Sequence, residues 1–338
     1  METAVVILNF NGINWLKKFL PNVIQHSDKE AEIIIIDNGS TDKSTDYLSQ
    51  NFPTLKVISL KSNSGFTGGY NQGLKALTHK YFILLNSDVQ VTQNWISPMI
   101  EMFNKNESIA AIQPKILSFN KKNKFEYAGA AGGYIDALGY PFCRGRVFNQ
   151  IESDTNQYNS TEEVFWASGA CLFIRSSDFF ENNGFDDNFF AHMEEIDLCW
   201  RLQNKGKKII FNPNSTVYHV GGGTLDYNSP TKTFLNFRNA LFMLHKNDSR
   251  NVILIIISKM IFDGIAGIRF LIGGEPKLFL SILKAHFHYY KSIKRLTVFR
   301  RNNKRKPNKV LKGFINRLIV WDYFILKKKY FSEIISKQ

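Results

Sequence analysis

Asp88 closes a run that begins Tyr81-Phe82-Ile83-Leu84-Leu85 and continues through Asn86-Ser87, so a carboxylate follows closely on five uncharged residues rich in strand formers. A carboxylate there can hold a metal ion or a polar substrate, although Asn-Ser-Asp is also ordinary turn chemistry. Asp37 follows residues 32–36 in the same way. Glu194, Glu195 and Asp197 crowd the start of a helical pattern that carries Leu198, Trp200 and Leu202. Acids in a first helical turn are commonly solvated partners of the helix dipole. Packed among Phe189, Phe190, Met193 and Trp200, however, a carboxylate is partly desolvated and its pKa moves toward the range of a working base. His219 lies just before Gly221-Gly222-Gly223. A lone histidine is more often structural, but on a glycine hinge its imidazole can join Asp88 on a cation.

These side chains act together only on a frame that brings strand ends to one edge. Ala4-Val5-Val6-Ile7-Leu8 predicts a first buried strand, closed by Asn9-Phe10-Asn11-Gly12, with helical spacing over 15–26. A second strand over 32–36 runs into Asp37-Asn38-Gly39-Ser40-Thr41-Asp42, and 57–60 is a third. A Gly-rich loop, Asn63-Ser64-Gly65-Phe66-Thr67-Gly68-Gly69-Tyr70-Asn71-Gln72-Gly73, enters the next helix ahead of the strand that ends near Asp88. This alternation predicts an α/β fold with a doubly wound, mostly parallel sheet, flanking helices and polar loops on one edge, where ligands bind. The loop matches neither GxGxxG nor GxxxxGK[ST], which argues against a dinucleotide dehydrogenase and a P-loop enzyme. Its glycines suit a tight turn or, ahead of a helix N-terminus, a backbone cradle for a diphosphate. Residues 109–117 read as another strand, and 127–148, rich in glycine and aromatics without periodicity, as loops around a pocket. Residues 164–174 read as a strand or strand pair interrupted by small residues that admit a ligand or close packing, and 212–220 as a short strand containing His219.

In this order, Val5-Val6-Ile7-Leu8-Asn9-Phe10-Asn11, Ile36-Asp37-Asn38-Gly39-Ser40-Thr41-Asp42, Asn63-x-Gly65-Phe66-x-Gly68-Gly69-x-Asn71 and Leu85-Asn86-Ser87-Asp88 resemble family 2 glycosyltransferases of the GT-A fold. The bacterial rhamnosyltransferase-like branch is the most similar, over about residues 3–245. The resemblance implies an inverting transfer from a dTDP- or UDP-linked sugar, rhamnose among the candidates, to an acceptor hydroxyl; the membrane-docking tail over 246–338 makes a lipid-linked or cell-surface glycan the expected acceptor. It implies that Asp37 hydrogen-bonds the nucleotide base with Asn9 lining the same pocket. Asn63, Gly68 and Asn71 then belong to the donor cradle, Asn86 meets the ribose or a metal-bound water, and the segment with Trp166 borders donor sugar and acceptor. By the same resemblance Asp88, with His219, binds Mg²⁺ or Mn²⁺, Glu195 is the general base, and Asp197 caps or anchors its helix. Two residues depart from the family pattern. Asn86 stands where many members have Asp, leaving one carboxylate fewer for the cation, and Glu195 is one methylene longer than the usual Asp. A nucleotidyltransferase on a similar sheet, or a non-enzymatic membrane or nucleic-acid binding protein, is the competing class.

The 338 residues suffice for one large domain or two ordinary ones. Three cysteines without a CxxC pair argue against a disulfide framework and fit a reducing compartment. No basic-then-apolar leader precedes the first strand, so the expected location is the cytoplasm, peripheral on the inner face of the cell membrane. The net charge of +14 is uneven: residues 1–245 carry 22 Lys+Arg against 24 Asp+Glu, and residues 246–338 carry 21 against 5. That split predicts a catalytic domain over 1–245 and a basic amphipathic helical region over 246–338 that adheres to an anionic membrane surface. Residues 252–272 are strongly apolar, yet Ser258, Lys259, Asp263 and Arg269 fall on one narrow helical arc and no uncharged 20-residue span exists. The run from Arg300 to Lys309 adds six positive charges. With the apolar faces beside it, an anionic membrane is favoured over nucleic acid as its partner.

Overall fold

A computed structural model describes residues 1–221, 229–303 and 311–335; Gly222, Gly223 and residues 304–309 of the basic run lie outside them. The first part alternates: β1 (Thr3–Asn9), α1 (Ile13–Ser27), β2 (Glu32–Asp37), α2 (Ser44–Asn51), β3 (Lys56–Ser59), α3 (Gly65–Leu74) and β4 (Tyr81–Asn86). Then come β5 (Val89–Val91), α4 (Ser97–Lys105), β6 (Ile109–Ser118) and the short strands β7 (Gly133–Asp136), β8 (Pro141–Cys143), β9 (Arg146–Val147), β10 (Gln150–Ile151) and β11 (Glu162–Glu163). β12 (Cys171–Arg175), α5 (Ser176–Glu181), α6 (Glu194–Asn204) and β13 (Lys208–His219) complete the body. The C-terminal part holds α7 (Pro230–Asn247), α8 (Val252–Ile272), α9 (Pro276–Asn302), β14 (Phe314–Ile315), α10 (Ile319–Phe324) and α11 (Phe331–Ile335).

Among the described residues nine strands form a mixed sheet, in the order β11-β13-β6-β12-β4-β1-β2-β3 with β5 on β13. β1 runs parallel to both β2 and β4, and β3 parallel to β2. β12 enters antiparallel between β4 and β6, while β13 is again parallel to β6. Helices cover both faces, so Tyr81 to Leu85 of β4 are wholly buried and the strand reads as an unbroken apolar run. The register sets Asn9 beside Asp37 and Leu8 beside Asn86, which brings the polar ends of β1, β2 and β4 to one edge.

Three expectations need correction. Residues 127–148 are not simply loops, because β7, β8 and β9 lie within them and join β10 and β14 in a second, five-stranded sheet. The strands are two to four residues long and turn through Gly139 and Gly145 at positive φ, too short to show a period. In 164–174 only Cys171–Arg175 is strand, and Trp166 meets the small sheet through a single bridge to Gly133. The C-terminal part is also woven into the body. β14 pairs in parallel with β7, Ile319 N donates to Asp136 Oδ2 at 3.0 Å, and the 245/246 boundary falls inside α7.

Candidate active site

The first cluster grows from the ends of β1 and β2. Asn9 Nδ2 donates to Asp37 Oδ1 at 3.0 Å and to Ser40 Oγ at 3.1 Å, while Asp37 Oδ2 accepts from the Ser40 amide at 3.0 Å. Both side chains are buried, and among the described residues Asn9 Oδ1 has no hydrogen-bond partner. A Cβ on Gly12 would stand 2.5 Å from that oxygen, so glycine keeps the approach open. Behind them Asn38 Nδ2 donates to Asn63 Oδ1 at 3.0 Å and to the Gly65 carbonyl at 2.9 Å, locking the Gly-rich segment to β2.

That segment is more committed to structure than the sequence suggests. Asn63 Oδ1 also accepts from the Gly65 amide at 2.9 Å, which shapes the entry to α3. Gly68 packs on Ser64, where a Cβ would meet side-chain atoms at 2.8 Å. Asn71 Nδ2 donates to the Phe185 carbonyl at 2.7 Å and to Asp187 Oδ1 at 2.6 Å, and its Oδ1 accepts from the Phe185 amide at 3.0 Å. Trp166 is buried with its indole N–H donated to the Tyr134 carbonyl at 2.9 Å and its ring against Gly133. Asn71 and Trp166 therefore spend their polar atoms on the protein. Asn71 holds the segment at Phe185 and Asp187, and Trp166 holds β7.

The second cluster forms where β4 ends and β13 arrives. β5 pairs antiparallel with β13, opposing His219 to Val89, and this brings His219 Nε2 within 3.1 Å of Asp88 Oδ1 and 3.4 Å of Asn86 Nδ2. The imidazole's other nitrogen lies 3.4 Å from Glu126 Oε2, and all three ionisable side chains are buried. Burial opposes a charged His219, but the Glu126 and Asp88 carboxylates outweigh it and raise its pKa to about 10. Among the described residues no group of three or more His, Cys, Asp or Glu side chains is arranged to hold a metal ion. A carboxylate, an imidazole and an amide oxygen or water suit Mg²⁺ or Mn²⁺, hard cations that complete their shells with water and substrate phosphate. Asp88 and His219 fit as a partial donor set once the imidazole gives up its proton to a cation, and Glu126 Oε2, 3.4 Å from the other imidazole nitrogen, stands where a carboxylate supports a ligating histidine.

The third cluster opens α6. Phe190, His192 and Met193 all have positive φ, a conformation that non-glycine residues enter only under constraint. The constraint comes from α7: Asn239 Nδ2 donates to the carbonyls of Phe189, Ala191 and His192 at 3.1, 2.9 and 2.7 Å, and Arg238 Nη2 to those of Asn188 and Phe189 at 2.8 and 2.9 Å. The turn buries Glu194 and leaves Glu195 half-buried beside it. Burial raises the Glu195 pKa to about 7, with the amides of Glu195, Gly169 and Ile196 pulling it partly back. Burial, then the Glu195 charge, raises Glu194 well above the carboxylate range. Oε2 of each is buried without a hydrogen bond among the described residues. Glu195 is tied to the second cluster through a short path, since Gly169 supports its carboxylate and the next residue, Ala170, accepts from the Asn86 amide at 3.0 Å. Asp197 anchors the helix, accepting from Arg201 Nε at 2.9 Å, Lys246 Nζ at 2.9 Å and Asn247 Nδ2 at 2.7 Å.

Glu126, Asn239 and Lys246 did not stand out in the sequence. Glu126 sits in the aperiodic stretch, and nothing local marks it. Asn239 directly precedes the apolar run Ala240 to Leu244 of α7, and an amide on the buried side of a helix is the sort of signal that could have marked a buried polar clamp.

One mixed sheet thus brings together polar strand ends, a buried histidine–carboxylate pair and an acidic pair at a helix start. The sequence profile of glycosyl transferase family 2 matches residues 4–179, just over half of the chain, and the chain belongs to that family. It is 25% identical over 233 residues to the N-acetylglucosaminyl-diphospho-decaprenol L-rhamnosyltransferase of Mycobacterium tuberculosis, covering 64% of this chain and 75% of that one. In fold it is similar to S. aureus TarS 1-349 in complex with UDP-GlcNAc, with a TM-score of 0.56, 13% identity and coverage of 88% and 84% of the two chains. GalNAc-T7 with UDP, GalNAc and Mn²⁺ gives a TM-score of 0.55 at 18% identity; 73% of this chain aligns with 48% of that one. The protein is a glycosyltransferase of GT-A fold.

Proposed function

We propose that the protein transfers a sugar from a dTDP- or UDP-linked donor, rhamnose among the candidates, to a hydroxyl of a lipid-linked or cell-surface glycan, with inversion at the anomeric carbon. A rhamnosyltransferase relative whose printed name carries a diphospho-decaprenol acceptor supports this choice of substrates. In this reading Asn9 and Asp37 receive the base, and Asn63 and Gly68 shape the loop at the diphosphate. Asp88 and His219, with Asn86 beside them, would hold Mg²⁺ or Mn²⁺, which would supply positive charge to the diphosphate leaving group. Glu195 takes the proton from the acceptor hydroxyl as its oxygen attacks, and Glu126 fixes the orientation of His219. A base on the acceptor side needs no covalent enzyme intermediate, which is the basis for inversion. Acceptor delivery at the inner face of a membrane is part of the same reading, resting on the basic C-terminal part.

The observation that carries this reading is a carboxylate whose pKa is raised to about 7 and whose Oε2 is buried without a hydrogen-bond partner among the described residues, one loop away from the Asp88–His219 pair. Calorimetric titration of UDP, dTDP and GDP, with and without Mn²⁺, tests the donor half. Binding of one diphosphate that strengthens at least about tenfold with Mn²⁺ in the wild type and not in Asp88→Asn is expected. Folded protein that binds none of them contradicts it.

A further inference from the structure

α8 is built inside out relative to an ordinary surface helix. Its charged residues Lys259 and Asp263 are buried and paired with each other, with Lys259 over the Tyr140 ring at 4.1 Å and His286 Nε2 3.4 Å from Asp263. Its outer stripe is Leu254, Ile257, Ile261, Ile265, Ile268 and Ile272, spaced three or four residues apart and between 52 and 83 % exposed. The arc of polar residues thus faces the protein and the isoleucines face outward, the reverse of what water favours. The exposed apolar surface continues onto neighbours: Tyr290 of α9 donates to Met260 Sδ at 3.3 Å, and Arg269 lies over the Phe324 ring of α10 at 5.2 Å, beside exposed Trp321.

The surroundings say what covers this face. Among the described residues of α8, α9 and the turn between them, Glu275 is the exposed acid, against exposed Arg269, Lys277, Lys284, Lys291, Lys294 and Arg301. A second copy of the chain would set one cationic rim against another. An anionic lipid leaflet complements the rim, and tyrosine, tryptophan and lysine at the edge of an apolar stripe are suited to the headgroup level. No helix of the described residues is long and apolar enough to cross a membrane.

We infer that α8 lies in the plane of a bilayer with its isoleucine stripe inserted among the acyl chains, the lysines contacting headgroups at the rim. This rests on the membrane-side acceptor proposed above and deepens it: the attachment is by apolar insertion, with charge in a secondary role. The Lys259–Asp263 pair is then explained as well, because it neutralises the two charges that α8 turns against the protein and leaves the isoleucine stripe itself uncharged, with Arg269 exposed beside it at the rim.

Flotation of the full chain with vesicles of phosphatidylcholine, and of phosphatidylcholine with phosphatidylglycerol, tests this at about 0.1 and about 0.5 M NaCl. The wild type is expected to bind both, to favour the anionic vesicles at low salt, and to stay bound at high salt. The triple substitution I257Q/I261Q/I265Q, all at exposed positions, is expected to lower the partition coefficient by about tenfold per isoleucine on both vesicles. K277Q/K291Q is expected to lower only the anionic preference. Binding that needs phosphatidylglycerol and is released by salt, or a triple variant that partitions like the wild type, overturns the inference. So does a wild type that binds neither vesicle and forms a dimer that the triple substitution dissociates. Nucleotide binding measured on the same preparations keeps a failure here distinct from a failure of the donor site.

Discussion

Burial raises the Glu195 pKa to about 7 from 4.5, and two consequences of opposite sign follow. A base must be ionised to accept a proton, so transfer is expected to rise with pH through about 7 and level off above it, read as a pH-rate profile at saturating donor. The folded chain also retains a proton that the unfolded chain releases above about 4.5, so stability contributed by neutral Glu195 is present at low pH and lost as pH rises through about 7. Glu195→Gln is therefore expected to stabilise the fold at pH 8 by on the order of 1 to 3 kcal/mol in urea unfolding. Glu126 makes the other residue-scale prediction: Glu126→Gln is expected to weaken Mn²⁺ binding by about 10 to 100-fold in calorimetry, because the second nitrogen of His219 loses its carboxylate. Asp37, Asp88 and Glu195 were legible in the sequence because each follows an apolar strand or opens an apolar helix. Glu126 was not, since its partner is 93 positions away and its own neighbourhood has no period.

The elements that hold these residues explain which of them could be read. β1, β2 and β4 announce themselves as apolar runs because both faces of a central parallel sheet are covered, and their polar terminators follow from that. The clamp on the turn before α6 is a tertiary feature. Asn239 satisfies three carbonyls of residues held at or beside positive φ, so Asn239→Ala is expected to cost about 2 to 4 kcal/mol in denaturant unfolding. Lys246 of α7 bridges Asp186 and Asp197 at 2.8 and 2.9 Å with its ammonium fully buried. Lys246→Met removes one of two cations from each buried carboxylate, leaving Asp197 to Arg201 and Asp186 to Arg295, and is expected to cost about 3 kcal/mol in denaturant unfolding. Small strands such as β9 and β10 were invisible for a different reason: two residues cannot display alternation, and their sheet is completed by β14, more than 160 positions further on.

At the scale of the whole molecule, the charge split at residue 245 suggested a catalytic body and a separable tail, and the contacts describe something more interlocked. β14 extends the small sheet, Arg295 of α9 reaches Asp186 at 3.3 Å, and Lys246 anchors α6. A chain ending at residue 245 is expected to lose the cooperative unfolding transition of the full chain, as followed by circular dichroism on heating. A truncated chain that melts like the whole would restore the separable-tail picture. Composition disclosed the tail's positive charge and periodicity its helices, but not that α8 turns Lys259 and Asp263 inward, because a polar arc on a helical wheel does not say which way it faces.

The measurement that tests the central claim most directly is single-turnover transfer by Glu195→Gln beside calorimetric binding of the donor nucleotide to the same protein. With Glu195 as the base, transfer falls by about 10² to 10⁴-fold while nucleotide affinity stays within about twofold. Transfer within a few fold of wild type, with the nucleotide still bound, would contradict the account.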